Sequence, residues 1–235
     1  MDLPPDGRVE RTFRDVVIGR VGTHVSLEDV ARFRYACYRG SDMIEPNPSE
    51  MMTDAGDHAD NAYLFSVQLG GSLVGTIRIH HVSAFDDFSE TRKEYAKVID
   101  PLLRTGDSYV EPARLAVDPN VRAERPEMKY VLMLVLYAHA ALVGARYMLF
   151  GVRREHVLYY RRIWGFKQIF VAKEYEGIKQ RVALMGIDYE EDRERVKQKL
   201  QFLKLEAEAG QLITTEFPDV LSRRATVKSA VVEAV

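Results

Sequence analysis

Glu111 and Arg114 stand three positions apart in a segment of β-branched and apolar residues, 108–117. A carboxylate can act as a general base and a guanidinium can hold an anionic group, so this pair could serve proton transfer and substrate binding. In a regular strand the two side chains would point to opposite faces. Pro112 lies between them and cannot donate a ladder hydrogen bond, which indicates a bulge that turns both side chains toward one side.

The same pair could instead form a structural ion pair at the edge of a sheet, and these residues alone do not decide between the two interpretations. A bulge would also free backbone N–H groups, which can stabilise a developing oxyanion. The candidates for that contact are Leu115, Ala116 and Val117.

The N-terminal half of the chain predicts a helix and a hairpin ahead of this segment. Ser26, with an acidic residue three positions on, is the predicted N-cap of a helix over 27–39. Two apolar runs, 62–69 and 73–81, are separated by a Gly-Gly-Ser turn, which is typical of a β-hairpin. The polar stretch 40–61 between these elements is long for a structureless loop, and such loops are usually functional or mobile.

The C-terminal half predicts alternating strands and helices. A helix is expected to begin at Pro126 and to run to about Gly144, and because it is apolar nearly all round it should be buried on a sheet. Further helices are predicted over 88–99, 155–163 and 189–209, and further strands over 147–152, 166–172 and 179–187. This order predicts an α/β fold with a mixed, mostly antiparallel central sheet and helices on both faces, not a doubly wound Rossmann fold.

Composition excludes several classes of protein. The chain has 33 basic and 35 acidic residues and a formal net charge of −2, so a general nucleic-acid or membrane-surface binder is not expected. Cys37 is the single cysteine, which suits a reducing compartment and therefore a cytoplasmic location. No signal peptide is predicted, and the longest apolar run, 131–143, is too short to span a bilayer. The six histidines form no metal-ligand spacing, so no metal is expected.

A wider resemblance rests on the order of motifs from Arg114 onward. A strand ending in Arg-Leu-Ala-Val-Asp-Pro, a helix, a short strand, and then a Tyr-containing segment ending in Gly165-Phe166 resemble the GNAT acyltransferase fold. In that family the fourth strand is bulged and parts from the fifth, and the thioester arm of the acyl donor lies in the notch. The resemblance implies that Tyr160 is the general acid for the leaving thiol. Tyr160 is one residue farther from Gly-Phe than in the common pattern, so a packing role is the alternative.

A narrower resemblance joins four motifs in order along residues 27–172. The Glu-x-x-Arg motif is similar to that of the acyl-homoserine lactone synthases and their relatives, the N-acyl amino acid synthases. The first helix carries an Arg-x-x-x-aromatic pattern, two aspartates precede the hairpin, and the hairpin ends in Gly-x-x-Arg. The resemblance implies a substrate-binding set made of Arg34, Arg78, Arg114, Asp54 and Asp57.

The expected donor follows from a departure from the GNAT pattern. Most members that use coenzyme A have glycines before the central helix, where backbone amides close on the pyrophosphate. Here the stretch 122–128 has no glycine and contains Glu127. We therefore expect acyl-phosphopantetheine on an acyl carrier protein as co-substrate, with acyl-coenzyme A second and no tightly bound cofactor. The residues expected at the pantetheine arm, besides 115–117, are Arg122, Arg125, Met128 and Lys129.

Carrier proteins are acidic as a class, so the partner would need a basic face. An ordinary solvated face is the alternative interpretation of the same charges. The expected carrier face comprises Arg122, Arg125, Lys129, Arg153, Arg154, Arg161, Arg162 and Lys167.

The predicted reaction is attack of an amino acid amine on an acyl thioester. Glu111 would be the general base, Arg78 or Arg114 would hold the acceptor carboxylate, and Arg34 would order the loop 40–60. Walls for the acyl chain are expected from Met128, Val131, Leu132 and Tyr147. The predicted organisation is a disordered tail, 1–11, a GNAT-like acyltransferase domain, 12–187, and a C-terminal helical extension, 188–235, through which an oligomer could form.

Three other activities stay open from the sequence. The first is an acyl-homoserine lactone synthase that uses S-adenosylmethionine, although such enzymes usually have a tryptophan after the first helix and the only one here is Trp164. The second is a coenzyme A-dependent N-acetyltransferase. The third is a non-catalytic module that binds a carrier protein or forms a dimer.

Overall fold

The computed structural model describes residues 6–175 and 178–221. Its helices are α1 (Asp6–Asp15), α2 (Leu27–Gly40), α3 (Glu90–Arg104), α4 (Pro119–Glu124), α5 (Met128–Val143), α6 (Tyr189–Lys199) and α7 (Glu206–Glu216). Its strands are β1 (Val16–Arg20), β2 (Ala62–Leu69), β3 (Ser72–Val82), β4 (Tyr109–Val117), β5 (Tyr147–Arg153), β6 (Lys167–Tyr175) and β7 (Ile178–Asp188). Short helical turns lie at Ala55–His58, Gln201–Leu205 and, between β5 and β6, at Arg154–His156, Val157–Tyr159 and Tyr160–Trp164.

The seven described strands form one sheet in the order β1-β2-β3-β4-β5-β7-β6. All neighbours are antiparallel except β4 and β5, which are parallel. The register pairs of β4 and β5 are Tyr109 with Tyr147 and Val110 with Met148, at the start of both strands. Beyond Val110 the two strands part. The mixed, mostly antiparallel sheet with a splayed central strand is the architecture predicted from the sequence.

Helices cover both faces of the sheet because two apolar clusters form on opposite sides of it. On one face α5 is buried along nearly its whole length, together with α1 and the C-terminal helices, in the main core. On the other face α3 contributes Tyr95, Ile99 and Leu103 to a smaller cluster with Tyr109 and Leu149. A helix that is apolar all round can be buried only between two layers, and the C-terminal helices supply the second layer over α5.

The N-terminal prediction was wrong for residues 6–11, which form the start of α1 rather than a disordered tail. Val9 and Phe13 lie four positions apart on one side of α1, and both are buried in the main core. The Thr12 hydroxyl donates a hydrogen bond of 3.0 Å to the buried Glu127 carboxylate. Residues 1–5 lie outside the described part of the chain, and the domain boundaries at 12 and 188 stay predictions.

Two predicted helix boundaries also differ from the structure. Pro126 does not open α5; the proline at a first helical position is Pro119, in the short α4, whose N-cap Asp118 accepts two backbone hydrogen bonds. The helix predicted over 189–209 is interrupted after Lys199 by the turn Gln201–Leu205. Buried apolar residues follow one another around that turn, and a continuous α-helix would expose some of them. These are Leu200, Phe202, Leu203 and Leu205.

Among the described residues, no helix combines the length and the apolar composition needed to cross a membrane. The cytoplasmic location stays a prediction, as does an oligomer formed through the C-terminal helices.

Candidate functional site

A cavity of about 100 Å³ lies where β4 and β5 part. The proline of β4 is tolerated there because the neighbouring strand has moved away, so one side of β4 is an edge. The lining combines carboxylates and arginines with apolar side chains, and it comes from α2, α3, β4, β5, β7 and the loop after α2. The lining residues are Tyr38, Met43, Glu90, Thr91, Glu111, Pro112, Ala113, Arg114, Gly151, Arg153, Ile178 and Val182.

A bulge is present in β4, but its extra residue falls at Arg114–Leu115, after Ala113, rather than between Glu111 and Arg114 as predicted. Ala113 pairs with Arg78, but the next register pair is Ala116 with Thr76. Three residue steps along β4 therefore lie opposite two along β3. Arg114 has φ of +52°, a left-handed conformation that costs free energy for a residue with a side chain. The irregular backbone brings both Glu111 and Arg114 to the cavity wall.

Glu111 is only 2% exposed and lies against the N-terminus of α3. The Ser89 hydroxyl donates to Oε2, and the Thr91 backbone N–H donates to Oε1 at 3.0 Å. Burial raises the pKa of Glu111 to about 7, against the lowering effect of these hydrogen bonds and with a further rise from Glu90. A carboxyl group with a pKa near neutrality can take up and release a proton at working pH, which is what a general base requires.

Arg114 belongs to a set of six buried or partly buried charged side chains, called here the arginine–carboxylate network. Its Nε and Nη2 atoms lie 2.9 and 2.5 Å from Asp54, and Nη2 lies 2.6 Å from Glu90. Its members are Arg34, Arg78, Arg114, Asp54, Asp57 and Glu90. Three positive and three negative charges cancel, so the interior of the network carries no net charge.

Arg78 is the centre of this network and is fully buried. Its Nη1 lies 2.6 Å from Asp54 and 2.9 Å from Asp57, and its Nη2 lies 3.3 Å from Glu90. Arg34, also fully buried, binds Asp57 at 2.7 Å. Although burial favours the neutral carboxyl forms, the arginines hold the pKa values of Asp54 and Asp57 below their ordinary range.

Both aspartates come from the turn Ala55–His58 in the long loop after α2. Asp54 caps this turn by accepting from the Gly56 backbone N–H at 2.8 Å, and the Asp57 side chain accepts from the Asp54 backbone N–H in return. His80 on β3 lies 3.0 Å from the Gly56 carbonyl, and burial lowers the pKa of His80 to about 4. Gly56 is pressed so closely on the Arg78 guanidinium that a side chain there would collide with it.

The structure corrects two of the predicted roles. Arg78, one of the two arginines expected to hold an acceptor carboxylate, is enclosed by three carboxylates and is not on the cavity wall. The four expected tunnel residues cannot line one tunnel, because Met128, Val131 and Leu132 lie in the main core whereas Tyr147 packs against the cluster on the opposite face.

Tyr160 packs among aromatic rings rather than on the cavity wall. Its ring centroid lies 5.3 Å from that of Phe150 and 6.2 Å from that of Phe166. Burial raises the pKa of Tyr160 to about 12, which makes the hydroxyl a weaker acid. This arrangement favours the packing role that the sequence left open.

Some of the residues expected around the pantetheine arm lie at the bulge of β4, and the others lie farther along the chain. Leu115 stands with Arg114 opposite Ile77, while Ala116 and Val117 return to register with β3. Met128 is fully buried in the main core and does not reach the surface. Burial lowers the pKa of Lys129 and of His156, and the charge of Arg122 adds to both shifts, so Arg122 lies close to both side chains. Arg125 pairs with Asp15 at 2.8 Å.

Sequence reasoning missed the group at the start of α3. Ser89 caps the helix by accepting from the Arg92 N–H at 2.8 Å and also binds Glu111. Glu90 joins the network and lines the cavity. A serine followed by a glutamate indicates a helix N-cap. The predicted helix began at residue 88, before Ser89, so Ser89 was not recognised as the cap. In the described part of the chain no cluster of three or more His, Cys, Asp or Glu could hold a metal ion.

A bulged strand, the splay beside it and a buried carboxylate define a GNAT-fold N-acyltransferase. Residues 29–188 match the model of the FeeM N-acyl amino acid synthase family, which covers more than half of the chain. The chain therefore belongs to this family.

Solved structures share the fold. One is FeeM, an N-acyl amino acid synthase from uncultured soil microbes, with 18% sequence identity and a TM-score of 0.64 over 80% of this chain and 97% of that chain. Another is BjaI, a coenzyme A-dependent acyl-homoserine lactone synthase, with 15% identity and a TM-score of 0.54 over 78% of this chain and 82% of that chain. A search of curated proteins found no match.

Gly56→Ala tests the close approach that holds the network together. The new methyl group would meet Phe88 Cε1 at 2.6 Å and the Arg78 guanidinium at 2.9 Å. We expect the free energy of unfolding, measured in urea, to fall by about 1–3 kcal/mol. The control is Gly40→Ala, at a site with no atom within 4 Å, which should change stability by less than about 1 kcal/mol. Equal effects of the two substitutions would contradict the packing account.

Glu111→Gln separates a catalytic carboxylate from a structural one. We expect turnover to fall by roughly 100- to 10,000-fold because the general base is lost. Burial raises the pKa of Glu111 to about 7, so the free energy of unfolding of the wild type falls as pH rises through that value. Glutamine does not ionise, so the variant lacks this loss. The variant should therefore be at least as stable as the wild type at pH 8, with a smaller difference at pH 5. A large loss of stability at every pH would support the structural ion pair instead.

Proposed function

We propose that this chain moves a fatty acyl group from the thioester of an acyl carrier protein to the amine of an amino acid, with Glu111 as general base. The observation that carries the proposal is a carboxylate with a pKa near 7 that lines a cavity at the splay beside a bulged strand. The family match favours this activity over the lactone synthase and over a non-catalytic module.

The reaction begins when Glu111 removes a proton from the acceptor ammonium, directly or through one water. The free amine attacks the thioester carbonyl carbon, the C–N bond forms, and the carbonyl oxygen becomes an oxyanion. The bulge in β4 supports a role for backbone N–H groups near Leu115 as donors to that oxyanion. The intermediate collapses with cleavage of the C–S bond, and its cationic nitrogen releases a second proton to solvent, which leaves the neutral amide. The leaving thiolate takes one proton, which Glu111 or solvent supplies.

The start of α5 supports a carrier protein as donor. A pyrophosphate is held in most such sites by free N–H groups at a helix N-terminus. Here the Met128 N–H donates to the Arg125 carbonyl at 3.0 Å, and the Tyr130 N–H donates to the Glu127 carbonyl at 2.8 Å. These bonds occupy amides that a pyrophosphate would need. A phosphopantetheine carries a single phosphate and can be held by side chains such as Arg122 and Lys129.

The rim of the cavity supports an acidic partner. Arg153 lies at the end of β5 and acts electrostatically on His156, as do Arg122 and Lys129. Arg154, Arg161, Arg162 and Lys167 are exposed on the segment that follows. Exposed basic residues speed the encounter with an oppositely charged protein and help to fix its orientation.

The test supplies purified protein with an acyl carrier protein thioester or the matching acyl-coenzyme A, plus a mixture of amino acids. Mass spectrometry should detect N-acyl amino acids, and kcat/KM should be higher with the carrier-bound donor. Reversing two charges in Arg161→Glu/Arg162→Glu should lower kcat/KM for the carrier-bound donor by about 10-fold or more, because surface charge mainly changes association rates. The coenzyme A thioester should be affected much less.

The matched control is Arg104→Glu, an exposed arginine at the end of α3. It should leave both donors unaffected. Folded protein that gives no N-acyl amino acid with either donor would refute the activity. Equal use of both donors, with no effect of the charge reversal, would refute the carrier protein as partner.

A further inference from the structure

The cavity at the splay has walls of opposite charge. Glu90 and Glu111 stand on the wall made by α3 and β4, where the charge of Arg114 is offset by its ion pairs, and Arg153 stands on the wall made by β5. An α-amino acid carries an ammonium and a carboxylate on the same carbon atom. The charges of the cavity therefore match those of a zwitterionic acceptor in one orientation, with the amine toward the glutamates and the carboxylate toward Arg153.

The other arginines near the cavity are more firmly held by carboxylates than Arg153 is. Arg78 is fully buried against three carboxylates. Arg114 lines the cavity, but its Nε and Nη2 atoms are bound to Asp54 and Glu90. To bind substrate, Arg78 would have to break its ion pair with the buried Asp57, which is strongly unfavourable. Arg114 can offer only Nη1 unless it gives up its contact with Asp54 or Glu90.

Arg153 forms a weaker ion pair than Arg78 and Arg114 do, and a hydrogen bond fixes the orientation of its guanidinium. Its Nη1 lies 2.9 Å from Glu155, whose side chain is 51% exposed, and such solvent-exposed pairs add little stability. Its Nη2 lies 2.6 Å from His156 Nε2. Burial, with the charge of Arg153, lowers the pKa of His156, so the ring is neutral and Nε2 accepts the hydrogen bond. A substrate carboxylate can thus replace Glu155 while His156 keeps the guanidinium in place.

Glu90 offers the complementary contact for the amine. Both of its arginine partners bind Oε1, which leaves Oε2 for the substrate ammonium. Glu111, which is held by the residues on either side of Glu90, then receives the proton.

We propose that Arg153 binds the α-carboxylate of the acceptor amino acid, while Glu90 directs the acceptor amine toward Glu111. This inference rests on the proposed function. The anion at Arg153 could also come from the phosphate of the donor arm, and the two sources make different kinetic predictions.

The experiment uses the full chain with acyl carrier protein thioester and an equimolar mixture of the standard amino acids and their carboxamides. Products counted by mass spectrometry give the ratio of kcat/KM values for acid and amide acceptors directly. The wild type should favour the acids. Arg153→Gln should reduce this preference by about 10- to 100-fold, the range expected for loss of a charge-assisted pair, through an increased KM for the acids. Arg153→Lys should restore part of the preference because the positive charge remains.

The control is Arg32→Gln, which removes an arginine with a comparable exposed partner, Glu28, outside the cavity. It should leave the preference unchanged. An increased KM for the donor with an unchanged acid-to-amide ratio in Arg153→Gln would show that the phosphate binds there, and would overturn the proposal. So would an unchanged ratio with unchanged KM values. A wild type that forms no N-acyl product at all would instead refute the proposed function.

Discussion

Arg34 and Arg78 carry two guanidinium groups into the interior, and neither could remain there as an unpaired charge. Their partners come from distant parts of the chain: Asp54 and Asp57 from the loop after α2, and Glu90 from the start of α3. The network therefore fixes a loop, a strand and a helix relative to one another. The position of α3 in turn decides where Glu111 meets its hydrogen-bond donors.

The bulge at Arg114 and the splay of β4 from β5 work together with this network. The left-handed backbone at Arg114 is strained, and the ion pairs with Asp54 and Glu90 help to hold it. Because β5 has parted from β4, the cavity opens between them rather than being filled by a neighbouring strand. Glu111 is thus buried beside a space that a substrate can reach, and burial beside that space raises its pKa toward the pH at which a base is useful.

The sequence predicted the sheet, the hairpin, the capping of α2 and the bulge, because each depends on local patterns of apolar residues, turn residues and proline. The partners of the charged residues could not be predicted from local patterns. Glu90 lies 24 positions from Arg114, and no local pattern joins them. Arg78 was expected to hold a substrate carboxylate because strand periodicity does not reveal which loop will cover a strand residue. The docking of α1 was missed because its main partners, α5 and the turn Gln201–Leu205, lie more than a hundred residues away.

The central claim is that Glu111 is a buried carboxyl group that changes protonation near neutral pH. Carbon-13 NMR of glutamate carboxyl groups in the full-length protein tests it most directly, with Glu111→Gln to identify the signal. The account predicts a signal that titrates with a midpoint near pH 7 and disappears in the variant. A Glu111 signal that titrates near the ordinary glutamate pKa of about 4.3 would contradict it.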